Sequence, residues 1–119
     1  MKPNATGLKR IVDATGYSFQ GLKAAWRNEA AFRQEAVLLV VMTTISFFLP
    51  VTHLEQLLMI ATLFVVVIVE LVNSAIEAVV DRIGPERHEL SGRAKDIGSA
   101  AVFMALMLVV VTWGSILLF

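Results

Sequence analysis

Residues 97–119 form a run of 23 residues without a single charged side chain. About 20 apolar residues suffice for a helix to cross the hydrocarbon core of a bilayer, so this run predicts a transmembrane helix. The range 56–80 is a second long apolar run, interrupted by Glu70, Asn73 and Glu77. A soluble domain of 119 residues, 57% of them hydrophobic, could not bury this much apolar surface. We therefore expect a small integral membrane protein.

A third span and a surface helix precede these two segments. The range 36–49 has 14 apolar or small residues in a row before Pro50 ends the helix, and extension back to residue 30 gives the length of a span. A core helix of a soluble protein is the alternative for so short a run. Further back, 6–28 repeats an apolar residue every three or four positions with cations largely between them, which is typical of an amphipathic helix at a membrane surface. Gly7, Gly16 and Gly21 are expected to break or bend it.

The predicted fold class is therefore an all-α integral membrane protein, with an N-terminal amphipathic surface helix and three transmembrane helices. The whole chain, 1–119, forms a single membrane domain. The surface helix covers about 6–28, the spans cover about 30–49, 56–80 and 97–119, and the range 81–96 forms a loop.

The positive charges define the orientation of the predicted spans. All ten Lys and Arg residues lie before the first span or between the second and the third, and the turn at 50–55 has none. Three crossings place these two basic segments on one face, which the positive-inside rule identifies as cytoplasmic. We expect a cytoplasmic N-terminus, a cytoplasmic loop at 81–96 and a C-terminus on the outer side. The formal net charge of zero removes the electrostatic case for a nucleic-acid partner.

Polar side chains form one stripe along the second span. Glu70, Asn73, Ser74, Glu77 and Asp81 are spaced at i, i+3, i+4, i+7 and i+11, so they share one face of a helix. Ionisable residues within a transmembrane helix are energetically costly and are functional by default. A protonated Glu can also serve as a contact between helices. Two Glu, one Asn and one Asp on one face favour function. The stripe cannot face lipid, which predicts a polar chamber built by several copies of the chain.

The loop at 81–96 mixes four cations with four carboxylates and contains Ser91-Gly92, which predicts a turn before the third span. Cations suit polyanionic phosphate, and carboxylates suit a divalent ion that bridges phosphates, as Mg²⁺ does. An ordinary charged loop that obeys the positive-inside rule is the alternative. The sequence contains no GxxxxGK[ST] loop, no GxGxxG and no Ser/His/Asp set. A small transporter with one membrane-embedded Glu is therefore the rival to a phosphotransferase.

Three long motifs decide between these classes: WRNEAAFRQE at 26–35, ELVNSAIEAVVDRIG at 70–84 and HELSGRAKDIGSAAV at 88–102. Together they resemble the prokaryotic diacylglycerol kinase family, over about 7–113. The resemblance implies a homotrimer in the bacterial inner (cytoplasmic) membrane, with active sites between subunits at the cytoplasmic face. It also implies an ATP-dependent transfer of the γ-phosphoryl group of MgATP to the primary hydroxyl of diacylglycerol, which gives phosphatidic acid and ADP in phospholipid recycling. Mg²⁺ is the implied cofactor, and ATP and the membrane lipid are the implied partners.

The resemblance also implies roles for individual residues. Glu70 resembles the general base that accepts the proton of the lipid hydroxyl, and Asn73 and Asp81 match polar residues needed around it. Glu29 and Glu77 resemble the ligands of the divalent ions. The remaining positions that match nucleotide contacts are Arg10, Tyr17, Glu86, Arg87, His88, Lys95 and Asp96. The positions that match the lipid site, besides Glu70, are Arg10, Ser18, Glu35, Ser99 and Trp113.

The closest alternative within the same superfamily phosphorylates undecaprenol, a polyprenyl alcohol. Both kinds of enzyme share the Glu-Leu-Val-Asn element at 70–73 and the Lys-Asp element at 95–96. The segments 26–35 and 88–96 look more like the diacylglycerol enzyme, which favours diacylglycerol as the acceptor.

Overall fold

The computed structural model describes residues 6–84 and 88–119. They form four helices: α1 (Gly7–Asn28), α2 (Ala30–Ser46), α3 (His53–Ile83) and α4 (Glu89–Leu118). Within these ranges there is no strand, so the all-α fold class is confirmed. The long helix α3 is central, because it packs against both α4 and α2, and α1 packs against α2.

A single residue separates α1 from α2. Glu29 has extended backbone angles (φ −121°, ψ 105°) and is the residue that ends α1 and precedes α2. The guanidinium of Arg33, one turn into α2, donates hydrogen bonds across this joint to the carbonyl oxygens of Trp26 (2.7 Å) and Arg27 (3.3 Å). The last carbonyls of a helix lack partners and carry partial negative charge, so a cation here stabilises the end of α1.

A short turn joins α2 to α3. α2 ends at Ser46, earlier than the predicted end at Pro50, and Thr52 begins α3 with a capping box. In this box the Thr52 hydroxyl accepts a hydrogen bond from the Glu55 backbone N–H (3.1 Å), and the Glu55 carboxylate accepts one from the Thr52 N–H (2.9 Å). The capping box therefore gives α3 a defined start directly after the turn.

The largest buried cluster of the described residues joins α3 to α4. Met59 and Leu63 of α3 pack against Trp113 of α4. The indole N–H of Trp113 donates to the Met59 carbonyl (3.1 Å), which also accepts from the hydroxyl of Thr62 (2.7 Å). A buried indole needs such a partner, so this hydrogen bond fixes the register between the two helices at this end.

Helices α3 and α4 are long and apolar enough to cross a membrane, with a mean hydropathy of 2.4 in each. Only 11% of the most apolar 18-residue stretch of α4 is buried within the chain. An exposed apolar surface of this extent belongs against lipid or another protein rather than water. Helix α2 has 17 residues, slightly fewer than the roughly 20 that cross the hydrocarbon core.

Two local predictions are wrong. Ser91 and Gly92 lie inside α4 rather than in a turn, because α4 already begins at Glu89 after an N-cap at His88, whose ring accepts the Leu90 N–H (3.1 Å). Gly16 and Gly21 do not break α1, which is continuous. A helical glycine costs only about 1 kcal/mol relative to alanine, so one such residue does not end a long helix.

Candidate active site

A cavity of about 880 Å³ lies between α1 and α3. Small or apolar residues form much of its walls: Gly21 and Leu22 on α1, and Leu71, Ala75 and Ala78 on α3. Four predicted site residues also line it: Ser18, Glu29, Glu77 and Asp81. The cavity therefore offers apolar walls and a row of carboxylates to the same ligand.

Carboxylates from three parts of the chain meet beside this cavity. Glu70 is only 4% exposed, and the charges of Glu77 and Glu29 both act on it. The charge of Glu70 acts in turn on Glu35. Like charges brought together at low dielectric repel one another strongly, so this arrangement favours a bound cation.

The described residues contain no group of three or more His, Cys, Asp or Glu side chains that could by itself hold a metal ion. Mg²⁺ in phosphoryl-transfer sites uses one or two carboxylates, with substrate phosphates and water as the other ligands. Glu29 and Glu77 line the same cavity, which fits that kind of shared site.

Asn73 connects this cluster to α4. Its side-chain amide donates a hydrogen bond to a Glu77 carboxylate oxygen (3.2 Å), one turn further along α3. The amide oxygen of Asn73 faces Gly98 and has no hydrogen-bond partner among the described residues. Asn73 is therefore held between the carboxylate that it orients and the backbone of the neighbouring helix.

A second link between α3 and α4 is an ion pair. The ammonium of Lys95 lies 2.6 Å from a carboxylate oxygen of Asp81. The hydrogen bond from Lys95 to Asp81 and the charge of that carboxylate raise the pKa of Lys95 above its ordinary value of 10.5. Lys95 is therefore positively charged at any physiological pH.

Sequence comparison adds an independent result to this geometry. A profile described as prokaryotic diacylglycerol kinase matches residues 16–117. The chain belongs to the prokaryotic diacylglycerol kinase family. It is 57% identical to the diacylglycerol kinase of Escherichia coli (strain K12) over 113 residues, which are 95% of this chain and 93% of that protein.

Two further relatives in the family are equally similar. The chain is 55% identical to the diacylglycerol kinase of Haemophilus influenzae, over 96% of this chain and 97% of that protein. It is 58% identical to the diacylglycerol kinase of Pseudomonas aeruginosa, over 95% of this chain and 92% of that protein. The resemblance inferred from the three motifs is therefore confirmed, and with it the expectation of an ATP-dependent lipid kinase.

The other described positions that match the family's site residues and have not been placed above do not line the cavity. Trp113 lies in the buried cluster with Met59 and Leu63, where its indole N–H is already bonded, and it does not line the cavity. His88 serves as the N-cap of α4. Four more of these matched positions are exposed on α1 or α4: Arg10, Tyr17, Asp96 and Ser99. Glu86 and Arg87 lie outside the described residues.

Two residues of the site were not singled out from the sequence. Arg33 received no role of its own within the 26–35 motif, yet it bonds the carbonyl oxygens at the joint that carries Glu29. Gly98 received no role of its own within the 88–102 motif, yet it faces the Asn73 side chain. The position of Arg33, a basic residue shortly after a predicted helix end, could have indicated its role. The role of Gly98 depends on the register between two helices, which no local sequence pattern records.

Proposed function

We propose that the chain transfers the γ-phosphoryl group of MgATP to the hydroxyl of sn-1,2-diacylglycerol, giving phosphatidic acid and ADP. The observation that carries this proposal is the meeting of Glu29, Glu70 and Glu77 beside a cavity with apolar walls. The proteins named diacylglycerol kinase that are 55–58% identical to the chain supply the identity of the acceptor. Phospholipid recycling is the process that would supply this substrate.

Glu70 acts as the general base. Its carboxylate accepts the proton of the lipid hydroxyl while the hydroxyl oxygen forms a bond to the γ-phosphorus, and the bond from that phosphorus to the β,γ-bridging oxygen breaks to release ADP. The burial of Glu70 keeps competing water away from the reacting oxygen. Phosphoryl transfer depends mainly on position and charge neutralisation, so a site built from a few carboxylates and one lysine is sufficient.

Glu29 and Glu77 would hold the magnesium ion. When bound, that ion neutralises charge on the phosphate oxygens. Asn73 keeps the Glu77 carboxylate directed by its 3.2 Å hydrogen bond, and the joint between α1 and α2 keeps Glu29 on the opposite wall of the cavity. Lys95, held by Asp81, directs its charge to the nucleotide phosphates.

The remaining residues bind the two substrates. We also assign Asp96, the residue after Lys95, to nucleotide binding. The other nucleotide contacts that we propose are Arg10, Tyr17, Glu86, Arg87 and His88. Ser18, on α1, lines the same cavity as the row of carboxylates. It is the cavity-lining residue that we assign to the lipid substrate. The other lipid contacts that we propose are Arg10, Glu35, Ser99 and Trp113.

The setting of this reaction is the bacterial inner membrane. We propose that α2, α3 and α4 cross it, that α1 lies on its cytoplasmic surface, and that three copies of the chain assemble around the site. The large apolar surface left exposed on α3 and α4 supports both the membrane and the self-association. The N-terminus is then cytoplasmic and the C-terminus periplasmic.

The test is ATP-dependent phosphate transfer by the purified protein in mixed detergent and lipid micelles with Mg²⁺. Diacylglycerol and undecaprenol are offered side by side, and a preparation of the Glu70→Gln variant gives the background. We expect strong labelling of diacylglycerol only. Labelling of undecaprenol alone would keep the mechanism and change the acceptor. Well-folded protein that labels neither would contradict the kinase and favour a transporter.

A further inference from the structure

At Gly98 the backbone of α4 lies against the side chain of Asn73, a member of the polar stripe of α3. The residue is buried, and a Cβ atom added to it would collide with the amide oxygen of Asn73 and lie 3.1 Å from Asn73 Cγ. Gly114 lies further along the same helix, and no described atom beyond its own stretch of helix would come within 4 Å of its added Cβ. Of these two glycines of α4, only Gly98 therefore lacks room for a side chain.

The chemistry of the Asn73 amide determines why this space is needed. A carboxylate only accepts hydrogen bonds, so the NH₂ group of Asn73 must face Glu77, as it does at 3.2 Å. The amide is planar, and its oxygen then points the opposite way, into the space beside Gly98. That oxygen is buried without a hydrogen-bond partner in the described part of the chain, so only the shape of Gly98 accommodates it.

We propose that Gly98 is a positioning residue for Glu77. The missing side chain at Gly98 makes room for the Asn73 amide, and Asn73 in turn holds the Glu77 carboxylate towards the cavity. A methyl group at position 98 displaces the amide, so Glu77 loses its donor and its fixed direction. The consequence for metal binding rests on the proposed function, in which Glu77 is a ligand of the divalent ion.

The test compares Gly98→Ala with Gly114→Ala, which adds the same methyl group to the same helix where there is space. Mn²⁺ binding to the full-length protein in detergent with ADP, measured by electron paramagnetic resonance, reports the metal site without turnover. Partners that orient metal ligands typically contribute 10- to 100-fold in metal affinity. We expect Gly98→Ala to weaken Mn²⁺ binding at least tenfold and to raise the Mg²⁺ concentration for half-maximal activity. Gly114→Ala should leave both unchanged.

A double-mutant cycle shows whether Gly98 acts through Asn73. Asn73→Ala removes the donor to Glu77 and should weaken Mn²⁺ binding about as much as Gly98→Ala does. The double variant has no amide left to displace, so it should fold and bind Mn²⁺ no more weakly than Asn73→Ala alone, a non-additive result. Such a result supports the action of Gly98 on Glu77 through Asn73, even if Gly98→Ala by itself folds poorly.

Two results would overturn the positioning role while the proposed function stands. One is equal Mn²⁺ affinity in Gly98→Ala and Gly114→Ala, with diacylglycerol phosphorylation intact. The other is a pair of losses that add in the double variant. Wild-type protein with neither Mn²⁺ binding nor kinase activity would overturn both proposals.

Discussion

Glu70 is the most enclosed of the carboxylates on α3, with 4% of its surface exposed. It lies on the same helix face as Glu77, which is seven residues away, and it interacts electrostatically with Glu29 from the joint between α1 and α2. Of these three carboxylates, Glu29 and Glu77 line the cavity, where phosphate and metal would be, and Glu70 does not. This division of positions matches a division between one base and two ligands.

Replacement of Glu70 by Gln should abolish turnover and leave nucleotide binding intact. Glutamine has the same shape but cannot accept the hydroxyl proton, and general-base catalysis typically contributes 10²- to 10⁴-fold. The measurement is kcat for diacylglycerol phosphorylation together with the Kd of a non-hydrolysable ATP analogue. Near-normal turnover in this variant would remove Glu70 as the base.

Lys95 is held to α3 by its 2.6 Å contact with Asp81. Replacement of Lys95 by Met should raise the KM for ATP at least tenfold, with a smaller rise for Lys95→Arg, which keeps the charge but changes its shape. Both side chains of the ion pair are well exposed, and exposed pairs add little stability. Thermal unfolding should therefore be nearly unchanged, and an unchanged KM for ATP would contradict the phosphate role.

The pH dependence of the Asp81–Lys95 pair follows from the direction of the pKa shift. The pKa of Lys95 is raised in the folded protein, so on the alkaline side protonated Lys95 contributes fully up to about pH 10.5, and this contribution is lost only as the pH rises through the higher, folded value. Any alkaline loss of activity near pH 8 to 9 therefore comes from a group other than Lys95.

The helix period explains what the sequence could predict at this scale. Glu70, Asn73 and Glu77 share one face because of their spacing alone, and the hydrogen bond from Asn73 to Glu77 is a local, one-turn contact. The position of Glu29 near them depends on where α1 lies relative to α3. The contact between Asn73 and Gly98 depends on the register of α3 against α4, which distant packing such as that of Trp113 sets.

At the scale of elements, the joint between α1 and α2 combines a helix end with a site residue. Replacement of Arg33 by Met should remove the two hydrogen bonds to the end of α1 and destabilise that end by about 1 to 2 kcal/mol. Hydrogen exchange of the backbone amides at 25–29 is the measurement, and faster exchange there is the expected result.

Arg93→Met is the matched control for this prediction. Arg93 forms an exposed ion pair with Glu89 (3.4 Å) within α4, so its loss should leave exchange at 25–29 unchanged. Equal exchange in the wild type and in Arg33→Met would show that the guanidinium does not hold the joint.

The helices were easier to predict than their ends. Long apolar runs and the amphipathic pattern indicated all four, because hydrophobic periodicity is a strong signal over many residues. The range 81–96 was expected to be a loop, yet α3 continues to Ile83 and α4 begins at Glu89. The N-cap at His88 and the Glu89–Arg93 pair favour helix beyond the apolar core, and these are weaker signals than hydropathy.

At the scale of the whole molecule, the exposed apolar surface predicts an assembly. We expect the detergent-solubilised protein to contain three copies of the 13.0 kDa chain. Light scattering coupled to size-exclusion chromatography, with the detergent contribution subtracted, gives the protein mass. A monodisperse monomer that retains kinase activity would contradict the trimer.

The orientation can be tested because the chain has no cysteine of its own. Single cysteines are introduced as Thr6→Cys before α1 and Phe119→Cys after α4, both at exposed positions. A maleimide that does not cross membranes should label Phe119→Cys in intact spheroplasts, and Thr6→Cys only after permeabilisation. The reverse pattern, or equal labelling of both, would contradict three crossings with a cytoplasmic N-terminus.

The one-residue joint at Glu29 restricts where this chain can change in length. Each residue of a helix turns the chain by about 100°, so an insertion or deletion next to Glu29 would rotate its carboxylate away from Glu70 and Glu77. The Arg33 bridge would also lose its register with the carbonyls of Trp26 and Arg27. Length variation is compatible with the site only away from this joint, for example before α1 or after α4.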